Sequence, residues 1–542
     1  MDKKEILKFC FENGLLLDKE VLNLFTEIGD LASIKLILEK VKTHANQKII
    51  TKSFFFENKN QISKYFLEVP GENREEIQKL KIKLGLNIEI SKEINTNLKT
   101  SLEDFKNELM NPLKKDQEFV VDNSKTNPSI NKDVKILSNF SFLNNKPEVK
   151  DFVKYFRNRF LEMKKTLQEH VGLNNLVSIN KISGSKQNIS LIGLVSDKRV
   201  TKNKNIIFEI EDLTGKIKVL INSTKKELYQ KADDIALDSV IGFNGSGNRE
   251  ILFVNDVFFP DSTLIEKKNS PYEEIALFIG DLHFGSKRFL EEGFLKFINY
   301  LNGNVPNTPE ANKIKYLFIV GDLITGIGNY PDQERDLKIK DLEEQFSGLA
   351  NLLSKIRKDI LLIISPGNHD GVRLMEPQPT LDEKYAWPLY DLKNAIFTTN
   401  PCSLNIGAKS NFSGFDVLTY HGFSFPFYAN SVPSLMTKKT MNTPEEIMKY
   451  LLKHRHLAPT HSSVQYFPHD EDPLIIKKTP DIFVSGHTHK SAVSYYNNIL
   501  LVSISSWERL TPYQEKFGNE PDHCKVPMFN LKTRVVKILD FE

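Results

Sequence analysis

Hydrophobic positions along this 542-residue chain change their spacing several times. Near the start, Ile6, Leu7, Phe9 and Cys10 recur at helical spacing, Asn13-Gly14 stops that helix, and Ile28-Gly29-Asp30 separates two more. This predicts a small helical domain over residues 1–75. From 76 to 145 sustained periodicity is lost, and the stretch from Asp122 to Asn131 is rich in Asn, Ser, Lys and Asp, the pattern of a flexible linker. Phe152, Tyr155, Phe156, Phe160 and Met163 then mark one face of a connecting helix within 146–175.

Residues 176–265 switch to strand character. Ile189–Val195, Ile206–Ile210 and Ile217–Ile221 are the clearest of five short strands, broken at Lys202–Asn205 and Asp212–Gly215. Their spacing matches the five-stranded barrel (OB-fold) that often binds oligonucleotides. A structural or partner-docking role ranks slightly ahead of DNA contact, because only Phe208 offers an aromatic surface on these strands. Over 270–542 apolar strands alternate with helical segments, which predicts an α/β layered domain with buried sheets. Its strands are Ile275–Ile279, Tyr316–Val320, Ile360–Ile364, Val417–Tyr420, Ile482–Val484 and Ile499–Val502.

Five of these strands end in metal-type side chains: Asp281 and His283, Asp322, Asn368-His369-Asp370, His421, then His487 and His489. Loops from different strands converge at the carboxyl ends of α/β sheets, and the adjoining glycines permit tight turns there. Asp281, His283, Asp322 and His489 suffice for one ion, and Asp322, Asn368, His421 and His487 for a second, with Asp322 shared. Mixed imidazole and carboxylate donors suit manganese, iron or zinc better than magnesium. Two divalent ions about 3.5–4 Å apart serve phosphoester displacement. His369, beside a ligand without being needed as one, is placed to donate a proton, and Asp370 to orient it.

Composition narrows the classes. Lys+Arg of 73 against Asp+Glu of 70 gives a net charge of only +3, so any nucleic-acid surface must be local. Three scattered cysteines make neither a disulfide framework nor a zinc ribbon, and no run reaches the ~18 apolar residues of a membrane span. A soluble cytoplasmic protein of two to four domains is expected. There is no glycine loop ending in Gly-Lys-Ser/Thr, which argues against an ATPase.

The motif series D-x-H, GD, GNH(D/E), H and GHxH resembles that of the calcineurin-like metallophosphoesterases, whose domain is a β-sandwich flanked by helices. Gly321–Gln333, Pro366–Pro379 and Leu451–Pro459 are further similar to the small, exonuclease-bearing subunits of archaeal family D DNA polymerases, a likeness that spans roughly residues 150–542. It implies a manganese-favouring 3′→5′ exonuclease that proofreads single-stranded or mismatched 3′ ends of DNA for a separate large polymerase subunit, at the nucleoid. A catalytically silent scaffold subunit and a free-standing phosphoesterase or repair nuclease are the alternatives. Thr325 stands where relatives commonly carry an acid, and Phe425-Pro426-Phe427 follows His421 where Asp is frequent. Arg373, Glu376, Gln378 and Trp507 are open between substrate contact and structural support, as are His454 and His456 between structure and DNA contact.

Overall fold

The computed structural model describes residues 3–18, scattered positions between 21 and 50, residues 133–138 and 140, and the chain from 146 onward except 439, 517 and 519. It divides into two compact units, Met1–Gln117 and Glu118–Glu542. In the first, Lys3–Glu12 is helical and buries Ile6 and Cys10, while Leu7 on the other face is 44% exposed. Gly14, at φ +70°, follows the helix where an L-residue would be strained. Leu16–Leu17 pairs in parallel with Ile49–Ile50, so the unit is not purely helical as its periodicity suggested. Residues 76–132 and the Ile28–Asp30 break lie outside the described residues.

The second unit contains two six-stranded sheets. One runs in the order Ala395–Phe397, Leu361–Ser365, Ile314–Val320, Ile275–Ile279, Lys525–Asn530, Val536–Asp540; its first four strands are parallel, and the two pairings made by Lys525–Asn530 are antiparallel. The other runs Ala492–Tyr496, Ile499–Ser503, Ile482–Ser485, Phe415–Tyr420, Cys402–Ile406, Val134–Ile136. Alternate residues explain the layering. Ala276 and Phe278 of Ile275–Ile279 share one core with Val417, Val484 and Val502 of the second sheet, so the sheets stack face to face. Ile275, Leu277 and Ile279 point the other way, onto helices carrying Phe294, Phe297, Phe346 and Leu349. Leu418, Tyr420 and Phe483 meet Phe425, Ile447 and Leu451 on the far side. Buried on both faces, these strands read as continuous apolar runs.

Val134–Ile136 corrects the linker expectation for 76–145. Its short apolar alternation is submerged in polar surroundings, yet it forms an antiparallel edge strand on Cys402–Ile406, and Ser403 N–H donates to Ser138 Oγ at 2.9 Å. Cys402–Ile406, Ala492–Tyr496, Lys525–Asn530 and Val536–Asp540 are also strands beyond those expected, and none of them supplies one of the seven expected donors.

Between helix Val149–Gln168 and the sandwich, five strands close on themselves in the order Gln187–Val200, Ile206–Asp212, Gly215–Ile221, Ile251–Phe258, Val240–Gly247. Gly215–Ile221 and Ile251–Phe258 are parallel; the other pairs are antiparallel. Asp212 Oδ1 builds one tight turn by accepting from the N–H groups of Thr214 (2.7 Å) and Gly215 (3.0 Å). Phe208 is fully buried inside the barrel and stacks nothing from outside; the exposed strand aromatic is Phe253, at 50%.

Helix Val149–Gln168, barrel and sandwich meet at Arg159. Its Nε donates to Asp472 Oδ2 at 2.6 Å, and its Nη1 donates to the carbonyls of Pro459 (2.6 Å) and Asp238 (3.4 Å). Tyr155, Phe156 and Tyr466 face the guanidinium at 4.9–5.4 Å, and His456 Nε2 lies 2.8 Å from the same carboxylate oxygen. Burial alone would raise the Asp472 carboxyl, but Arg159 and His456 hold it well below the usual range. Removing one partner of such a pair strands the other charge. Arg159→Met is therefore expected to lower stability by about 3–5 kcal/mol, read from the denaturant midpoint; a loss below about 1 kcal/mol would show that the joint does not depend on this pair.

Candidate metal centre

The carboxyl ends of parallel strands in both sheets lie at one end of the sandwich, because their registers align. Ile279 pairs with Ile319, Val320 with Ser365, and Tyr420 with Ser485. Just beyond these ends the chain turns back through left-handed backbone at residues that are not glycine: Asp281 (φ +46°), His283 (+47°), Asp322 (+47°), His487 (+69°) and His489 (+57°). Such conformations persist only where the surroundings impose them. Here Asp281 N–H donates to Gly321 O and His283 N–H to Asp322 O, both at 3.0 Å. His421 N–H donates to Asn400 Oδ1 at 2.8 Å, and His369 N–H to Asp322 Oδ1 at 2.9 Å. Glycine is needed at two close approaches. A Cβ on Gly367 would stand 2.3 Å from Asp322 Oδ1, and one on Gly321 2.2 Å from His421 Nδ1.

All seven donor residues expected from the sequence come together. On one side His283 Nε2 lies 3.0 Å from His489 Nε2 and 3.9 Å from Asp322 Oδ2, with Asp281 Oδ1 3.8 Å from His489 Nε2. On the other, His421 Nε2 lies 3.2 Å from Asp322 Oδ2, 3.0 Å from Asn368 Oδ1 and 3.3 Å from His487 Nδ1. Among the described residues, Asp281/His283/His489 and Asp322/His421/His487 each form a set whose donor atoms all fall within 4.8 Å of one another. A third set, His283/Asp322/His369, brings in the residue expected to stand outside the ligands.

The electrostatics suit a cation. Burial, followed by the neighbouring imidazoles, lowers His283 well below the usual histidine range, and burial and His421 bring His487 down to about 3. Burial likewise brings His489 to about 3, so these rings are neutral and carry lone pairs. Burial lowers His421 too, but Asp322 and Asp281 outweigh it and raise the ring to about 9. Lone-pair atoms from two carboxylates and several imidazoles crowd a buried space where hydrogen bonds alone leave like ends facing. That donor set fits divalent ions held by nitrogen and oxygen.

Asp370 departs from its expected role as the partner of His369. Its Oδ2 accepts from Gly367 N–H at 2.7 Å and its Oδ1 from Ile324 N–H at 3.1 Å, so it ties two loops together instead. The His369 ring contacts Thr325 O (2.8 Å) and Asn329 Nδ2 (3.1 Å), neither of which its sequence neighbourhood singled out. Trp507 is fully buried against Phe294 and Phe297. Glu376 is buried and accepts from Tyr420 Oη at 3.0 Å. Gln378 accepts from Asn400 Nδ2 at 2.7 Å and so braces the residue that holds His421. Arg373 donates to Pro377 O and lies 3.7 Å from the Phe467 ring centre. His454 and His456 are buried on Tyr450 O and Asp472. These are supporting positions.

Residues 276–494 match the DNA polymerase alpha/epsilon B-subunit family. A DNA polymerase II small subunit of Pyrococcus furiosus is 39% identical over 403 residues, 72% of this chain and 64% of that protein; the chain thus spans somewhat under two thirds of that relative's length. The DNA polymerase II small subunit of Methanothermobacter thermautotrophicus is 34% identical over 398 residues, 73% of this chain and 80% of its own. Among solved structures, an archaeal phosphodiesterase aligns over 49% of this chain and 98% of its own, at 10% identity and a TM-score of 0.24. With 34% of the aligned residues identical across four fifths of the Methanothermobacter protein, the chain belongs to the family of DNA polymerase II small subunits.

Proposed function

We propose that the chain is the nuclease-bearing small subunit of an archaeal family D DNA polymerase, removing nucleotides 3′→5′ from single-stranded or mismatched DNA ends. The observation that carries this reading is the convergence of Asp281, His283, Asp322, Asn368, His421, His487 and His489 from both sheets. A subunit kept only as a scaffold has no need of this donor set at the cost of five left-handed backbones. Asp281, His283, Asp322 and His489 would hold one divalent ion, and Asp322, Asn368, His421 and His487 the other. Manganese is the first candidate, iron and zinc the next. When bound, the pair supplies an activated water and charge neutralisation at the phosphodiester. His369 would protonate the leaving oxygen, and Asp370 would keep the loops of Asp322 and Asn368 in place.

The layered domain over 270–542 is read as a phosphodiesterase domain, and the barrel over 176–265 as OB-type. The return of its fifth strand beside the third, and helix Lys226–Asp233 between the third and fourth, support that reading. The connecting helix within 146–175 completes the proposed organisation of the described residues. Among the described residues no helix is long and apolar enough to cross a membrane. The proposed setting is the cytoplasm at the nucleoid, in a heterodimer or larger assembly with the large polymerase subunit.

The full chain, assayed alone and with its co-purified large polypeptide, is expected to shorten a 3′-mismatched oligonucleotide with Mn²⁺ and to stop on chelation. Asp322→Ala and His489→Ala are each expected to reduce cleavage on the order of 100-fold or more while the far-UV spectrum is retained. Undiminished cleavage in both variants would place the nuclease elsewhere; rapid phosphomonoester hydrolysis without DNA cleavage would favour a free-standing phosphatase. Gly321→Ala, which presses on His421, is expected to weaken Mn²⁺ binding by about 10-fold or more in calorimetric titration, and unchanged affinity would remove His421 from the ligand set.

A further inference from the structure

The ring of His369 is held by a loop that takes no part in the donor sets. Its Nδ1 lies 2.8 Å from the backbone carbonyl oxygen of Thr325 and 3.1 Å from Asn329 Nδ2. A carbonyl oxygen only accepts, so the shorter contact requires the proton on Nδ1. With that proton in place Nδ1 accepts nothing, and the Asn329 amide donates to Thr325 O instead, at 3.0 Å. Gln333 Nε2 reaches the same oxygen at 2.9 Å, and Gln333 Oε1 accepts Asn329 N–H at 2.9 Å. Gln333 thus bridges both ends of the 325–329 turn while only 2% exposed.

A second amide locks the turn from behind. Gln345, fully buried, accepts from Gly326 N–H at 2.9 Å and donates to Ile339 O at 2.9 Å. Gly326 sits at φ +69°, and a Cβ there would stand 2.2 Å from the His369 carbonyl oxygen, so turn and histidine are pressed together. Thr325 itself is fixed through its Oγ1, which donates to His283 O at 2.7 Å. The His369 side chain keeps 18% of its surface, and its free edge, Nε2, faces Asp322 Oδ2 at 3.9 Å.

We infer that Gln333, acting with Asn329 through the Thr325 carbonyl, is a positioning residue that fixes His369 in the Nδ1–H form with Nε2 turned toward the donor cluster. The tautomer assignment stands on these contacts alone. Its catalytic meaning rests on the nuclease reading. Protonated at Nε2, the ring donates to the leaving 3′ oxygen as the P–O3′ bond breaks; a water oxygen forms the new P–O bond and its proton passes to solvent. The ring is left as Nδ1–H, the form the turn selects, so the transfer requires no reorientation of the ring. A ring free to rotate would spend part of its time with Nε2 turned away from the donor cluster.

The test uses the full metal-free chain with ¹⁵N-labelled histidine, the His369 signals among the 12 histidines being identified by their disappearance in His369→Gln. Wild type is expected to show a protonated Nδ1 and an unprotonated Nε2, whereas Gln333→Leu and Asn329→Ala show averaged nitrogens. In the manganese-dependent assay the same two variants are expected to lose about tenfold in kcat with KM for the oligonucleotide within about twofold. Should Gln333→Leu fail to fold, Asn329→Ala reads the same contact. An Nε2–H ring in wild type, or a single Nδ1–H ring kept in both variants whatever their rates, overturns the inference. Averaged nitrogens in the variants with no cleavage by wild type uphold the positioning role and sink the nuclease reading instead.

Discussion

The contact between the two sheets is the constraint on which the centre depends. Ala276, Phe278, Tyr316 and Phe318 from one sheet pack against Val417, Val484 and Val502 from the other. If this layer slipped by one residue along a strand, alternate side chains would exchange faces and the strand ends would no longer coincide. Donors from five loops meet within a few ångströms because that packing fixes where each loop begins. The layer is fully buried and built of hydrophobic side chains, so it resists the small displacements that would separate His421 from Asp322.

Stability is given up locally at the top of that layer. Each left-handed non-glycine residue costs on the order of 1–3 kcal/mol, and five of them border one donor cluster. The buried carboxylates add to this, since burial and Asp322 push Asp370 up to about 7. Surrounding backbone hydrogen bonds, with Asn400 and Gln378 behind them, hold the arrangement. Selection for folding alone would have relaxed several of these residues.

Much of this was legible in the sequence because chemistry and periodicity coincided. Apolar runs buried on both faces are unmistakable, and ligand-type residues just after five of the six runs mark the functional end of the sheets. Strands without such residues, Cys402–Ile406 or Lys525–Asn530, gave no comparable signal. The identity of the partners of His369 was not legible either. Asp370 is adjacent in sequence and chemically suited, yet backbone amides of Gly367 and Ile324 claim both its oxygens. Thr325 acts through its carbonyl, which every residue possesses. Phe208 misled for a related reason: period-2 alternation says that two faces differ, but a closed barrel decides which is inside.

Strand Val134–Ile136 bears on how the chain is partitioned. It contributes three residues to the rim of the second sheet from a stretch otherwise dominated by polar residues. Without it, the backbone N–H and C=O groups of Cys402–Ile406 on that side would be open to pairing with another molecule, the hazard that natural sheets suppress. The globular body therefore includes Val134–Ile136, and a chain started at the connecting helix would carry an unprotected rim prone to self-association.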